Sequence, residues 1–187
     1  MNDIDRWIVS FYRHSEISGA QFFARLAKSL PAGPIQHDLT KHFADESQHA
    51  WYWTKALQEM DMEPLKMTFA YQDQYLEAAG MPTNVMEILS LTQVFERRII
   101  SQYARHARVR DIHPAVRTTI ETIMEDEKWH IHWVGEALKQ MEGKYGEERV
   151  KKTYEHYRKA DEEVYGRLVA EHAERVGHIL DKQNYAF

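Results

Sequence analysis

Glycine and proline are scarce in this chain, and the prolines fall in short breaks between long uninterrupted segments. Among 187 residues there are 8 Gly and 5 Pro. Because these residues end helices, the segments between them are expected to be long helices joined by turns. The breaks predict helices at about residues 3–29, 35–60, 83–109, 111–142 and 146–178. The connection 61–82 is predicted to carry one short helix near 70–79.

This order of helices predicts an all-α fold. Two helical hairpins joined by one long crossover connection form a recognised type of four-helix bundle. No segment shows the alternation of β-branched and polar residues that is typical of strands. We therefore expect a single domain over 1–187, with the bundle at about 3–142 and an additional C-terminal helix. An apolar stripe on that last helix predicts packing on the bundle or against a second subunit, the latter giving a homodimer.

Composition excludes several classes of function. The chain has no cysteine, so disulfides, thiolate metal sites and cysteine nucleophiles are excluded. The net charge is −5 and no basic run is present, which gives no support for a nucleic-acid partner. No apolar segment approaches the length of a signal peptide core or a membrane span. We expect a soluble cytoplasmic protein without membrane association.

One five-residue pattern, Asp-Glu-x-x-His, occurs twice. It covers residues 45–49 in the second predicted helix and 126–130 in the fourth. Glu and His three residues apart lie on the same face of a helix, where both can bind one metal ion. A single Glu-x-x-His has little specificity, but the longer pattern is unlikely to recur by chance at corresponding positions.

Each of these motifs has a glutamate about thirty residues upstream. Glu16 precedes the first motif and Glu96 precedes the second, each in the middle of an amphipathic helix. A carboxylate among apolar side chains is costly unless it is paired or coordinated. The two halves match at an offset of 80 to 81 residues, which indicates a weak internal repeat.

With these residues the sequence resembles the ferritin-like di-iron carboxylate superfamily, which includes ferritins, rubrerythrins, manganese catalases and bacterial di-iron oxygenases. The resemblance covers about residues 5–140. Its pattern is one Glu from each of two helices and one Glu-x-x-His from each of the other two. It implies a ferritin-like bundle that binds two Fe ions, with Mn as the alternative. The implied metal ligands are Glu16, Glu46, His49, Glu96, Glu127 and His130, with Glu46 and Glu127 bridging the ions.

Several neighbouring residues are candidates for supporting roles. Asp45 and Asp126 are each expected to accept a hydrogen bond from a metal-bound histidine, through the ring nitrogen that does not bind the metal. This histidine could lie on the opposing helix. Tyr103 is a candidate catalytic residue that donates a proton or an electron, although packing with a satisfied hydroxyl is an equal alternative. His42 lies four residues before Glu46 and could border the site, but the expectation is a polar residue toward the end of the bundle.

The leading functional hypothesis is an enzyme, a di-iron oxidase or oxygenase that activates O₂ and oxidises a small organic substrate. The absence of Cys implies that electrons come from an external donor. The alternatives are a ferroxidase or iron-storage protein, and a peroxide-scavenging protein like rubrerythrin or manganese catalase. Rubrerythrin-type sites carry a further Glu three residues after the third-helix ligand, where this chain has Ile99.

Small residues next to the first glutamate predict access to the metals from one side. Gly19 and Ala20 leave little side-chain bulk beside Glu16, so we expect a mainly apolar pocket that reaches the metals from the first helix. A bulky side chain at position 19 is accordingly expected to block an organic substrate and to leave metal binding largely intact.

Overall fold

The long segments between the sequence breaks are α-helices. The structure is a computed structural model that describes residues 3–186. The helices are α1 (Asp3–Ser29), α2 (Pro34–Glu59), α3 (Tyr71–Ala79), α4 (Val85–His106), α5 (Pro114–Tyr145), α6 (Glu147–Glu171) and α7 (Ala173–Leu180). A 3₁₀ turn follows at Lys182–Asn184. Over the described residues there is no strand, apart from one isolated bridge between Val109 and Tyr185. The predicted all-α class is confirmed.

Local capping explains where several of the helices begin and end. The Asn84 side chain accepts a hydrogen bond from the Glu87 backbone N–H at 3.1 Å, which satisfies a free donor in the first turn of α4. The first residue of α5 is Pro114, whose fixed φ suits this position. Gly146, with φ 84°, separates α5 from α6 because a residue without Cβ adopts this conformation without strain.

Some boundaries differ from those predicted. α4 ends at His106 rather than near 109, and α5 continues through Gly143 to Tyr145. The His113 side chain caps α5 by accepting a hydrogen bond from the Ala115 backbone N–H at 3.2 Å. The predicted short helix of the connection is present as α3.

The predicted C-terminal helix is two helices, α6 and α7, so the prediction of one helix is wrong. The break lies at His172, whose φ of −118° and ψ of 26° are not helical. The imidazole ring of His172 packs 4.7 Å from Trp7 and 5.6 Å from Phe69, measured between ring centroids. This turn allows Ile179 of α7 to reach the core. No proline or glycine marks the break, because tertiary packing determines it.

Apolar side chains form two clusters at different heights in the bundle. The Trp53 cluster includes Tyr12, Trp53, Tyr103 and Ile123, and the Phe23 cluster includes Phe23, Leu39, Leu89 and Trp133. α1 and α5 run from the Trp53 cluster to the Phe23 cluster, whereas α2 and α4 run in the opposite direction. The connection between α2 and α4 therefore returns along the bundle before α4 begins.

The remaining helices pack on the outside of these four. α6 contacts α3, α4 and α5, and it contributes Tyr157, Val164 and Leu168 to the Trp53 cluster. The apolar stripe predicted on the last helix thus packs on the bundle of its own chain. None of the helices in residues 3–186 combines the length and apolar character needed to cross a membrane.

Candidate metal centre

Four carboxylates lie between the two apolar clusters, one on each helix of the bundle. Each helix passes from one cluster to the other through this polar layer, so the carboxylates meet at one level. They are Glu16 on α1, Glu46 on α2, Glu96 on α4 and Glu127 on α5, and each is at most 4% exposed. The structure thus brings together the glutamates of both motifs and both upstream glutamates.

The two motif histidines direct the same ring nitrogen toward these carboxylates. Nδ1 of His130 lies 3.2 Å from Glu127 Oε2 and 3.8 Å from Glu46 Oε1. Nδ1 of His49 lies 3.5 Å from Glu127 Oε1. Both imidazoles are fully buried. Glu and His three residues apart on one helix therefore reach one cluster, as the spacing predicts.

The other ring nitrogen of each histidine contacts an aspartate on the opposing helix. Nε2 of His49 is 3.2 Å from Asp126 Oδ2, and Nε2 of His130 is 3.2 Å from Asp45 Oδ2. Each motif thus supplies the aspartate that contacts the histidine of the other. An N–H at Nε2 leaves the Nδ1 lone pair directed at the carboxylates, the arrangement that a metal-binding histidine requires.

Burial and neighbouring charges raise the pKa values of several groups in the cluster. Burial and the neighbouring Glu46 raise the pKa of Glu16 well above its usual value. Burial alone would lower the pKa of His130, but Glu127 and Asp45 raise it to about 11. Burial likewise opposes protonation of His49, whereas Asp126 and Glu16 raise its pKa to about 9. In this arrangement protons compensate the carboxylate charge.

No lysine or arginine of residues 3–186 forms an ion pair with the four glutamates. Several of their oxygens are buried without a hydrogen-bond partner, including both oxygens of Glu96 and Oε2 of Glu46. Burying carboxylates in this way is costly unless a cation compensates them. The unpartnered oxygens are therefore suited to bind cations.

Tyr103 lies at the edge of the cluster. Its hydroxyl donates a hydrogen bond to Glu16 Oε1 and accepts one from Trp53 Nε1 at 3.2 Å. The ring of Tyr12 packs 5.0 Å from that of Tyr103, measured between centroids. Tyr103 is thus in direct contact with a candidate ligand, and its catalytic role remains a prediction.

Gly19 allows the Glu46 carboxylate to approach α1 closely. A Cβ atom at position 19 would lie 2.5 Å from Glu46 Oε2, which is too close for any real contact. An apolar cavity of about 10 Å³ borders this point, lined in part by Phe23, Gln72 and Phe95. It lies beside Gly19 and Phe23 and is apolar, as predicted, but none of the six proposed ligands lines it, and it is only about large enough for a single water molecule.

His42 belongs to the cluster, so the preferred prediction for it is wrong. The sequence favours a position toward the end of the bundle over one that borders the site, but His42 is fully buried against Glu46 and Glu96. The signal is its position one turn before Glu46, on the same helix face as that glutamate. Its burial depends on how α2 packs against α5, which the spacing alone does not specify.

The donor atoms form two groups, each compact enough to surround one cation. One group consists of His42, Glu46, Glu96 and His130, and the other of Glu16, Glu46 and His49. Within each group the candidate donor atoms lie within 4.8 Å of one another. Carboxylate oxygens combined with imidazole suit iron, manganese and similar divalent ions better than Cu(I). The residues present therefore fit a metal centre.

No family model, curated protein or solved structure matches this chain in comparisons with known proteins. The functional assignment consequently rests on the geometry and chemistry of its own residues.

Proposed function

We propose that the chain is a ferritin-like protein that binds two iron ions, with manganese as the alternative, and activates O₂ to oxidise a small organic substrate. The observation that supports this proposal most strongly is the layer of four buried glutamates that no Lys or Arg of the described chain compensates. Four carboxylates balance the charge of two divalent ions. The parallel course of α2 and α4 is also compatible with a bundle that has one long crossover.

The proposed ligand roles follow the positions of the side chains. Glu46 belongs to both donor groups, which suits a carboxylate that bridges two ions. Glu127 belongs to neither donor group, but it contacts both His49 and His130, and the proposed ligand set keeps it as the second bridge. Glu16 and Glu96 belong to different donor groups and would each bind one ion.

Bound iron would supply the electrons that reduce O₂, together with Lewis acidity. The protein's own residues prepare the site for that chemistry. Asp45 and Asp126 keep the Nδ1 atoms of the histidines directed inward. The Tyr103 hydroxyl holds a proton at Glu16 Oε1, where it is available for transfer to a reacting oxygen. The surrounding apolar clusters exclude water.

In this proposal the cavity beside Gly19 is the route by which a small oxidant approaches the ions, although no proposed ligand lines it. It is enclosed partly by Gln72 and Tyr75 of α3, the short helix in the crossover connection. An organic substrate would need α3 to move away from α1. The small volume of this cavity also favours a second candidate function, in which the substrate is iron itself or a peroxide.

A reaction of the iron-loaded protein with O₂ separates these functions. Protein loaded with Fe(II) without oxygen would be mixed with O₂, and the iron oxidised per chain would be counted. An oxidase is expected to oxidise only its bound iron and then to need an external reductant. Continued oxidation of added iron, with mineral formed inside a large shell, would support storage instead. A protein that consumes peroxide but not O₂ would support the peroxide-scavenging alternative.

A further inference from the structure

His42 occupies a position in the metal centre that the proposed six ligands do not include. Its ring is fully buried between two other rings, with centroids 4.0 Å from Phe23 and 3.7 Å from His130. The plane of the His42 ring makes an angle of 27° with that of Phe23 and 17° with that of His130, so the three rings are stacked. This stacking holds the imidazole in one orientation, with an edge toward the carboxylates.

The nitrogen at that edge contacts two of the glutamates. Nε2 of His42 lies 3.1 Å from Glu96 Oε1 and 3.4 Å from Glu46 Oε1. Neither contact has hydrogen-bond geometry, and neither ring nitrogen has a hydrogen-bond partner among the described residues. Buried polar atoms normally have partners, so an imidazole whose Nδ1 has none and whose Nε2 has only poorly aligned ones requires an explanation.

The other two histidines of the centre direct a different ring nitrogen toward the glutamates. His49 and His130 each use Nε2 to contact an aspartate, and each directs Nδ1 toward the glutamates. His42 instead directs Nε2 toward the glutamates, in contact with Glu46 and Glu96. Its candidate donor atom lies within 4.8 Å of those of Glu46, Glu96 and His130.

We infer that His42 is a third imidazole ligand of the metal centre and binds the ion shared with Glu96 and His130. The inference rests on the proposed function. It makes the two metal positions chemically different, because one receives two imidazoles and the other, with Glu16 and His49, receives one. The position with two imidazoles should favour Co(II) and Fe(II) over Mn(II), since nitrogen donors suit the later metals better.

Two other roles would place His42 in the same position without metal binding. The ring could serve only as a packing spacer between Phe23 and His130, or only as a hydrogen-bond donor to the glutamates. His42→Phe keeps a ring in the stack and removes both nitrogens. His42→Gln keeps a polar donor and removes the imidazole. His106→Phe is the matched control, because His106 is also buried and lies outside the cluster.

The experiment is a Co(II) titration of each metal-free protein, followed by competition with a chelator and by visible absorption. We expect the wild type to bind two Co(II) ions in unequal steps. His42→Phe should weaken one step by about 10-fold or more and change the Co(II) spectrum. His42→Gln should also change the spectrum, whereas His106→Phe should preserve both steps. Wild-type affinities and spectra in both His42 variants would overturn the inference.

Failure of the wild type to bind any Co(II) would instead contradict the proposed function. Circular dichroism of the metal-free variants shows whether each one folds. If the His42 variants do not fold, a crystal structure of the wild type with Co(II) shows whether His42 binds an ion. His42 Nε2 within bonding distance of an ion, roughly 2.1 Å, would support the inference. An ion bound without any contact to His42 would overturn it.

Discussion

Nε2 of His130 on α5 lies 3.2 Å from Oδ2 of Asp45 on α2, and His49 and Asp126 repeat this contact in the opposite direction. The two motifs are thus linked in a crossed pair. Since an aspartate that contacts a metal-bound histidine orients its ring, we predict that Asp45→Asn or Asp126→Asn lowers metal affinity by about 10- to 100-fold.

Competition with a chelator measures this change. Glu125→Gln is the control, because Glu125 is the exposed neighbour of Asp126 and pairs only with Lys128 in the ion pairs of the described chain. Equal affinities in the control and in both aspartate variants would show that the crossed contacts do not support the centre.

Much of this centre could be predicted from sequence. The spacing of Asp, Glu and His within each motif places them on one helix face, and the structure brings both motifs together with Glu16 and Glu96. The choice between the two possible positions of His42, and the break at His172, could not be predicted in the same way. Both depend on packing between elements distant in sequence, such as the contact of His172 with Phe69.

Removal of the Tyr103 hydroxyl should affect reactivity more than metal binding. Tyr103→Phe removes the hydrogen bond to Glu16 but preserves the ring. We predict that the variant keeps both ions and that oxidation of its bound Fe(II) by O₂ slows by about 10-fold or more, because proton transfer is impaired. Rapid-mixing absorption measures the rate.

Tyr75→Phe provides the comparison for this prediction. Tyr75 is equally buried, and its hydroxyl has no hydrogen-bond partner in the described chain. If both variants react at the wild-type rate, Tyr103 has only a packing role.

A side chain at position 19 should displace Glu46. The sequence alone predicts that a bulky residue there blocks a substrate and spares metal binding, but a Cβ atom at this position would lie only 2.5 Å from Glu46 Oε2. We predict that Gly19→Ala weakens metal binding even though alanine favours the helix. Gly135→Ala should be tolerated, because its Cβ would lie 3.8 Å from its nearest neighbour, Gln93 Oε1.

Elemental analysis after loading and dialysis of both variants tests this difference. Full metal content in Gly19→Ala would show that Glu46 moves without loss of binding, and the close packing of α1 against the carboxylate would then have no importance for the centre.

His106 should make the protein sensitive to acid. Burial, with His178 and Arg117, lowers the pKa of His106 from 6.5 to about 3. The folded state therefore binds this proton less well than the unfolded chain. The buried neutral His106 therefore stabilises the folded state fully above pH 6.5, and this stabilisation is lost as the pH falls toward 3. Between about pH 7 and about pH 5 the loss should be about 2 kcal/mol.

Urea unfolding of metal-free wild type and His106→Asn at both pH values measures this contribution. The difference in free energy of unfolding between the two proteins should change by that amount, since other groups titrate equally in both. A difference that is the same at both pH values would contradict the assignment.

We propose that six carboxylate and histidine side chains of the two repeats bind two metal ions in the bundle. The metal content of the purified chain, after anaerobic loading with Fe(II) and removal of excess iron, tests this most directly. We predict two ions per chain, with a clear loss when Glu46 or Glu127 is replaced by Ala. A wild-type content well below one ion per chain, in protein that is folded by circular dichroism, would contradict the claim.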